Sequence, residues 1–160
     1  MKDKIDFYYI EKGEYAPRDG IPFVKRENVA VVIRYQKEYL FLSWNGVNYQ
    51  NSLVTGGIEA NEDREEAVKR ETIEETGYYD FKSITKIDCV NVSKFFVEHK
   101  NQNREAIYYP YLVELNSLAK KDITNDEQKE HSSIWVTENE LDKLSLFENH
   151  RMMLNKSLKK

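Results

Sequence analysis

The chain has 160 residues, a formal net charge of −4, 40% hydrophobic residues and 12% aromatic ones. That length suits one domain with a substantial core, and the acidic balance argues against a general electrostatic grip on nucleic acid or an anionic membrane. No apolar run approaches the roughly 20 residues that span a bilayer, and the opening MKDKIDFYYIEKG lacks the uninterrupted apolar core of a signal peptide. The single cysteine, Cys89, makes no internal disulfide, which fits a reducing, cytoplasmic setting. It lies in the apolar run IDCVNV and reads as a buried inert thiol rather than a nucleophile.

In chain order, residues 4–10 (KIDFYYI) are β-prone and short, an edge strand or hairpin arm, and residues 13–22, with two glycines and two prolines, read as a loop. NVAVVIRY (28–35) is a β-branched run of the kind buried on both faces of a sheet. A polar turn at 36–38 leads to YLFLSW (39–44), which completes a hairpin, and NGVNYQN (45–51) is a further turn. Residues 62–76 contain no Gly or Pro and predict a helix, with Asn61 as N-cap, acidic residues at its positive end and Gly77 just past its end. Ala67, Val68 and Thr72 supply its inward face.

Residues 81–98 alternate well enough for one long strand or two bent ones, followed by a polar tip at 99–106. IYYPYLVEL (107–115) is another strand, and Pro110 points to an edge or a bulge. Residues 116–131 read as a charged loop, SIWV as a short strand, and Thr137 with Glu140 as a capping box opening a helix. Residues 147–158 form a last helix before a basic tail that frays. Strands, helix, strands, helices predict one α/β (α+β) domain over 1–160, a mixed sheet with helices packed against it, whose first 24 residues are an N-terminal strand and loop.

The chemistry concentrates in residues 56–78, GGIEANEDREEAVKRETIEETGY. Glu71, Glu74 and Glu75 stand at i, i+3 and i+4, so a helix sets all three carboxylates on one face. Like charges at that spacing repel, and acids near a helix C-terminus oppose its dipole. A sequence shaped only by stability would place Lys or Arg there. A cation is therefore expected beside these glutamates, and a divalent metal is the obvious candidate.

The stretch resembles the signature of the Nudix hydrolase family, G-x5-E-x7-R-E-U-x-E-E-x-G-U with U a bulky apolar residue. Gly56, Glu62, Arg70, Glu71, Glu74, Glu75 and Gly77 fall in register, Tyr78 serves as the last U, and Thr72 stands where the family usually has a bulky aliphatic residue. The resemblance implies an α/β/α sandwich and Mg²⁺ or Mn²⁺ held by Glu71, Glu74 and Glu75. It implies an ion pair between Glu62 and Arg70 that holds the loop on the helix, and a further ligand in the backbone carbonyl of Thr55. Hard divalent cations with oxygen ligands suit diphosphate chemistry, because they neutralise charge on phosphate oxygens and acidify a bound water.

Many members add a carboxylate from the loop before the last strand. Glu127 and Glu130 are the candidates, Glu130 slightly favoured and surface charges the alternative for both. His131 reads as an ordinary loop histidine. Between residues 93 and 106, a Phe stacking on a base and Lys94 or Arg104 meeting a phosphate would line a nucleotide pocket, against the plainer account of a core strand with a polar tip.

The expected activity is metal-dependent hydrolysis of the diphosphate linkage in a small nucleoside diphosphate derivative, giving a nucleoside monophosphate and a phosphorylated product. Long nucleic acid and membranes are not expected partners. Homodimers are common in the family, and the apolar residues 108–112 would offer an edge for one. The alternatives are a Nudix-fold nucleotide sensor without turnover, against which the complete set of glutamates argues, and isoprenoid diphosphate isomerisation, for which Cys89 lies in the wrong context.

Overall fold

The β-branched and aromatic runs form nine strands and the Gly-free acidic stretch forms a helix, in a computed structural model that describes residues 4–45 and 50–158. Residues 46–49 of the expected 45–51 turn and the last two residues of the basic tail lie outside the described residues. The strands are β1 (Phe7–Ile10), β2 (Phe23–Tyr35), β3 (Glu38–Trp44), β4 (Asn51–Ser52), β5 (Val54–Gly57), β6 (Phe81–Lys86), β7 (Asn91–Val97), β8 (Gln102–Leu115) and β9 (His131–Thr137). The α-helices are α1 (Arg64–Thr76), α2 (Asn125–Glu130) and α3 (Glu148–Leu158).

One mixed sheet runs β1-β7-β8-β2-β3-β4, with β5 beside β2, β6 beside β8 and β9 beside β3. β1 lies parallel to β7 and β2 parallel to β8, while the other pairings are antiparallel. Alternation along β2 separates two cores. Val29, Val31 and Ile33 pack on the side of Ala67 and Val68 of α1, and Ala30 and Val32 on the side of Met153 and Leu154 of α3. The result is an α/β sandwich with helices on both faces. No helix among the described residues is long and apolar enough to cross a membrane.

The helix α1 starts later than its composition suggests. Its N-cap is Asp63, not Asn61: the Asp63 side chain accepts from the Glu66 N–H at 2.8 Å and Glu66 returns the bond to the Asp63 N–H. Asn61 instead takes a left-handed backbone with φ 63, which its short polar side chain tolerates. The helix ends on Gly77, with φ 84 and its N–H bonded to the Ile73 carbonyl. A Cβ at Gly77 would overlap the carbonyl oxygen of Lys121, a backbone atom that cannot swing away. Gly77→Ala therefore combines left-handed strain with a steric clash and is expected to destabilise the protein by about 2–4 kcal/mol, measured by denaturant unfolding.

Other expectations are corrected. Pro110 marks neither an edge nor a bulge, because β8 has β2 on one side and β7, then β6, on the other. Antiparallel pairing passes from β7 at Tyr108 to β6 at Tyr111, and the Pro110 carbonyl accepts from Ile87 N–H in the gap between them. The missing proline N–H faces that gap and breaks no ladder bond. Residues 108–112 are thus central and offer no edge for a dimer.

The stretch 116–131 is not all loop, since Thr124 caps α2 by accepting from the Glu127 N–H. Thr137 makes no side-chain cap, and Glu138–Lys143 winds as a 3₁₀ helix. Residues 81–98 form two strands, β6 and β7, and the expected tip at 99–106 shrinks to a turn at Asn101 because β8 begins at Gln102.

Candidate active site

The sharp approach of β5 to α1 creates the site. Gly56 faces the Glu71 carboxylate so closely that any Cβ would overlap it, which is the physical reason a glycine stands there. Glu71 is only 8% exposed, and burial raises its pKa in spite of the neighbouring Arg70 guanidinium.

Arg70 ties the loop to the helix. Its Nε and Nη2 donate to the two oxygens of Glu62 at 2.7 and 3.0 Å, Nη2 also donates to the Gly57 carbonyl at 2.8 Å, and Nη1 donates to Glu71 Oε1 at 2.7 Å. This planar fork draws the Glu62 pKa down to about 2. Nη1 also comes within 3.5 Å of Glu74, whose side chain is half exposed.

Glu75 has no such partner. Its Oε2 is buried without a hydrogen bond, and burial, then the charges of Glu71, Glu127, Glu74 and Glu130, push its pKa up to about 9. A buried carboxylate facing four others is held at a cost unless a cation joins it. Among the described residues no three His, Cys, Asp or Glu side chains are drawn together into a closed ligand set, since Arg70 attracts Glu71 and reaches toward Glu74. The donors are nevertheless all hard oxygens with one left orphaned, which is the chemistry that Mg²⁺ or Mn²⁺ takes.

α2 brings the outlying carboxylates to the box, and Glu127 rather than Glu130 is the better placed. Glu127 acts on both Glu71 and Glu75, whereas Glu130 is the weakest of the influences on Glu75. The cap at Thr124 starts a helical turn, and that turn brings the Glu127 carboxylate onto the His131 ring four residues on. The His131 ring is fully buried, its Nε2 lies 2.8 Å from Glu127 Oε2, and Trp44 packs edge-on against it. The i,i+4 spacing of Glu127 and His131 was the sequence signal for this pair.

The remaining candidates separate. Thr55 lines an open cleft of about 1020 Å³ that runs past Trp44 and Ser52 to α3. It joins a cavity of about 620 Å³ walled by Tyr9, Tyr15, Phe95 and Phe147, with Asn149 and His150 at its α3 side. Lys94 is not part of this cleft: it pairs with Glu105 at 3.6 Å and lies over the Tyr8 and Phe23 rings. Arg104, opposite Phe95 on β8, has Nε and Nη2 buried without partners. Cys89 is buried, and burial pushes its thiol up to about 11, which leaves no thiolate for catalysis near neutral pH.

His150 contributes a pH dependence to the fold's stability. Its Nδ1 accepts from the Leu53 N–H at 3.1 Å, which favours the neutral ring, and burial lowers its pKa from 6.5 to about 4. Above pH 6.5 both folded and unfolded chains hold it neutral. As pH falls toward 4 only the unfolded chain takes the proton, so stability is lost across that window by an amount on the order of 3 kcal/mol. His150→Asn keeps an acceptor near Nδ1 and removes this contribution. The raised Glu75 pKa shifts stability the other way over the same range. The check is therefore the difference in unfolding free energy between variant and wild type, which should move in the variant's favour from pH 7 to pH 4.

A family model for the NUDIX domain matches residues 23–156. The chain belongs to the Nudix family. The structure is similar to a MutT protein from Bacillus halodurans (TM-score 0.67, 18% identity, 84% of this chain and 83% of that one covered). It is also similar to the NUDIX domain of Shewanella oneidensis NrtR, solved with ADP ribose (0.65, 14%, 85% and 88%), and to the Bacillus subtilis pyrophosphohydrolase BsRppH (0.57, 20%, 91% and 89%). At these identities the likeness shows the Nudix fold alone. Among curated proteins, none matches the chain.

Proposed function

We propose that this Nudix chain is a metal-dependent hydrolase of small nucleoside diphosphate derivatives, cleaving the diphosphate linkage to give a nucleoside monophosphate and a phosphorylated product. The observation that carries the reading is Glu75 Oε2, a buried carboxylate oxygen left without a partner among four other carboxylates. Glu71, Glu74 and Glu75, with the Thr55 carbonyl, would hold Mg²⁺ or Mn²⁺. When bound, the metal supplies neutralisation of phosphate charge and acidification of water.

The protein's own groups do the rest. Arg70 keeps the Gly57 carbonyl and Glu71 in place, so the box loop enters the reaction already ordered. Glu127, with one oxygen held by His131, is the carboxylate that takes the proton from the attacking water. That water adds to one phosphorus as the bridging oxygen leaves with the other. The aromatic cavity beside α3 accommodates the nucleoside end, since its volume and its mixture of rings with a few polar groups suit a drug-sized ligand.

The test is a hydrolysis screen with Mg²⁺ and Mn²⁺ over ADP-ribose, dinucleoside polyphosphates, sugar nucleotides, oxidised nucleotides and capped RNA, with products identified by mass. The reading expects a monophosphate from a small diphosphate-linked nucleotide. Absence of turnover across the panel, with tight binding of one compound, would instead make this a sensor.

A further inference from the structure

We propose that Arg26 and Arg104 form a two-guanidinium seat for a phosphate group of the substrate, placed between the aromatic cavity and the box loop. The proposal rests on the nucleoside diphosphate reading above and adds a binding site to it. Register places the two side chains together: Arg104 of β8 stands opposite Val24 of β2, and Arg26 of β2 opposite Ala106, so the arginines are diagonal neighbours on one face of the sheet. Arg26 bends toward the box, where its Nη2 lies 2.7 Å from the position a Cβ on Gly57 would take. On its other side Arg104 stands opposite Phe95, which lines the aromatic cavity. The pair therefore bridges the two ends of the proposed substrate.

Its charges are uncompensated. Arg104 Nε and Nη2 are buried with no hydrogen-bond partner, and burial followed by the neighbouring Arg26 charge lowers the Arg104 pKa. Several other basic side chains are already engaged: Arg70 by Glu62, Lys94 by Glu105, and Arg18 by the Phe96 ring. Two of the Arg104 guanidinium nitrogens lose water without gaining an acceptor, and the exposed Arg26 beside it adds repulsion rather than relief. The anion that relieves both fits their geometry, because two guanidinium forks match the oxygens of a phosphate.

The experiment reads binding of inorganic pyrophosphate in EDTA, by calorimetry and by the shift in unfolding temperature, so that no metal contributes. The wild-type protein should bind it in a salt-dependent way, and Arg26→Gln and Arg104→Gln should each weaken binding by about tenfold or more. Arg104→Lys, with the charge but not the fork, should fall between. Pyrophosphate should compete with the nucleotide substrate, and both Gln variants should raise KM with little change in kcat. Arg26 is exposed, so its variant tests the seat even if Arg104→Gln proves unstable. Binding within about twofold of wild type in Arg26→Gln, or inhibition that does not compete with substrate, would overturn the seat. Hydrolysis lost only on changing the box glutamates would then leave the functional reading standing. Conversely, arginine-dependent pyrophosphate binding in a protein that hydrolyses nothing would sink that reading and keep the seat.

Discussion

Glu75→Gln is expected to lower kcat by about three orders of magnitude while leaving the protein as stable as before, or more so. The two effects separate because they have different origins. In the folded chain Glu75 is buried among Glu71, Glu127, Glu74 and Glu130, and its Oε2 has no hydrogen-bond partner. Near neutral pH the metal-free fold must keep Glu75 protonated at a cost, and a neutral amide of the same shape removes that cost, so nothing in the fold is lost. What disappears is an anionic oxygen for the metal. Parallel measurement of turnover on the best substrate and of the thermal unfolding midpoint checks both halves. Turnover near wild type would sink the assignment of the metal site, and a large loss of stability would show that Glu75 is held for structure.

Gly56→Ala should cost about a hundredfold or more in turnover, for a geometric reason. Gly56 has no left-handed backbone to explain it, but a methyl group there would occupy the space of the Glu71 carboxylate. That carboxylate is the free end of a side chain and can swing away, so the stability cost stays near the low end of overpacking, about 1 kcal/mol. In swinging, it leaves Arg70 Nη1, to which it is now bonded at 2.7 Å. The expected signature is a fall in kcat with raised metal demand and a nearly unchanged unfolding midpoint. Full activity in this variant would mean that the position of Glu71 beside β5 is irrelevant to the chemistry.

The box was legible in the sequence because its information is local. Helical spacing puts Glu71, Glu74 and Glu75 on one face, Gly77 stops the helix, and Ala67, Val68 and Thr72 turn inward, all within a few turns of chain. Fine details of the same stretch were less legible. Asn61 and Asp63 are both good caps, and only the reciprocal bond from Glu66 favours Asp63.

Features that depend on distant strands could not be read in advance. Pro110 looks like an edge marker until β6 and β7 are seen to meet opposite it. Lys94 and Arg104 look equivalent in the segment 93–106, yet cross-strand register gives Lys94 a Glu105 partner and leaves Arg104 beside Arg26. Glu130 looks slightly the better of the two outlying glutamates until Thr124 starts a helix, His131 holds a Glu127 oxygen, and Glu127 is found to act on both Glu71 and Glu75. The cavity combines β1, β7 and α3, elements far apart in the chain, and no local pattern announces it.

The central claim is that water, activated at the box glutamates, opens a diphosphate. It is tested most directly by a single turnover of the best substrate from the panel in isotopically labelled water with Mg²⁺, the products being weighed. The account predicts the label in one of the two phosphorylated products, with no labelled product from Glu75→Gln under the same conditions. Intact substrate bound to the wild-type protein with no labelled product, or equal labelling by the Glu75 variant, would contradict it.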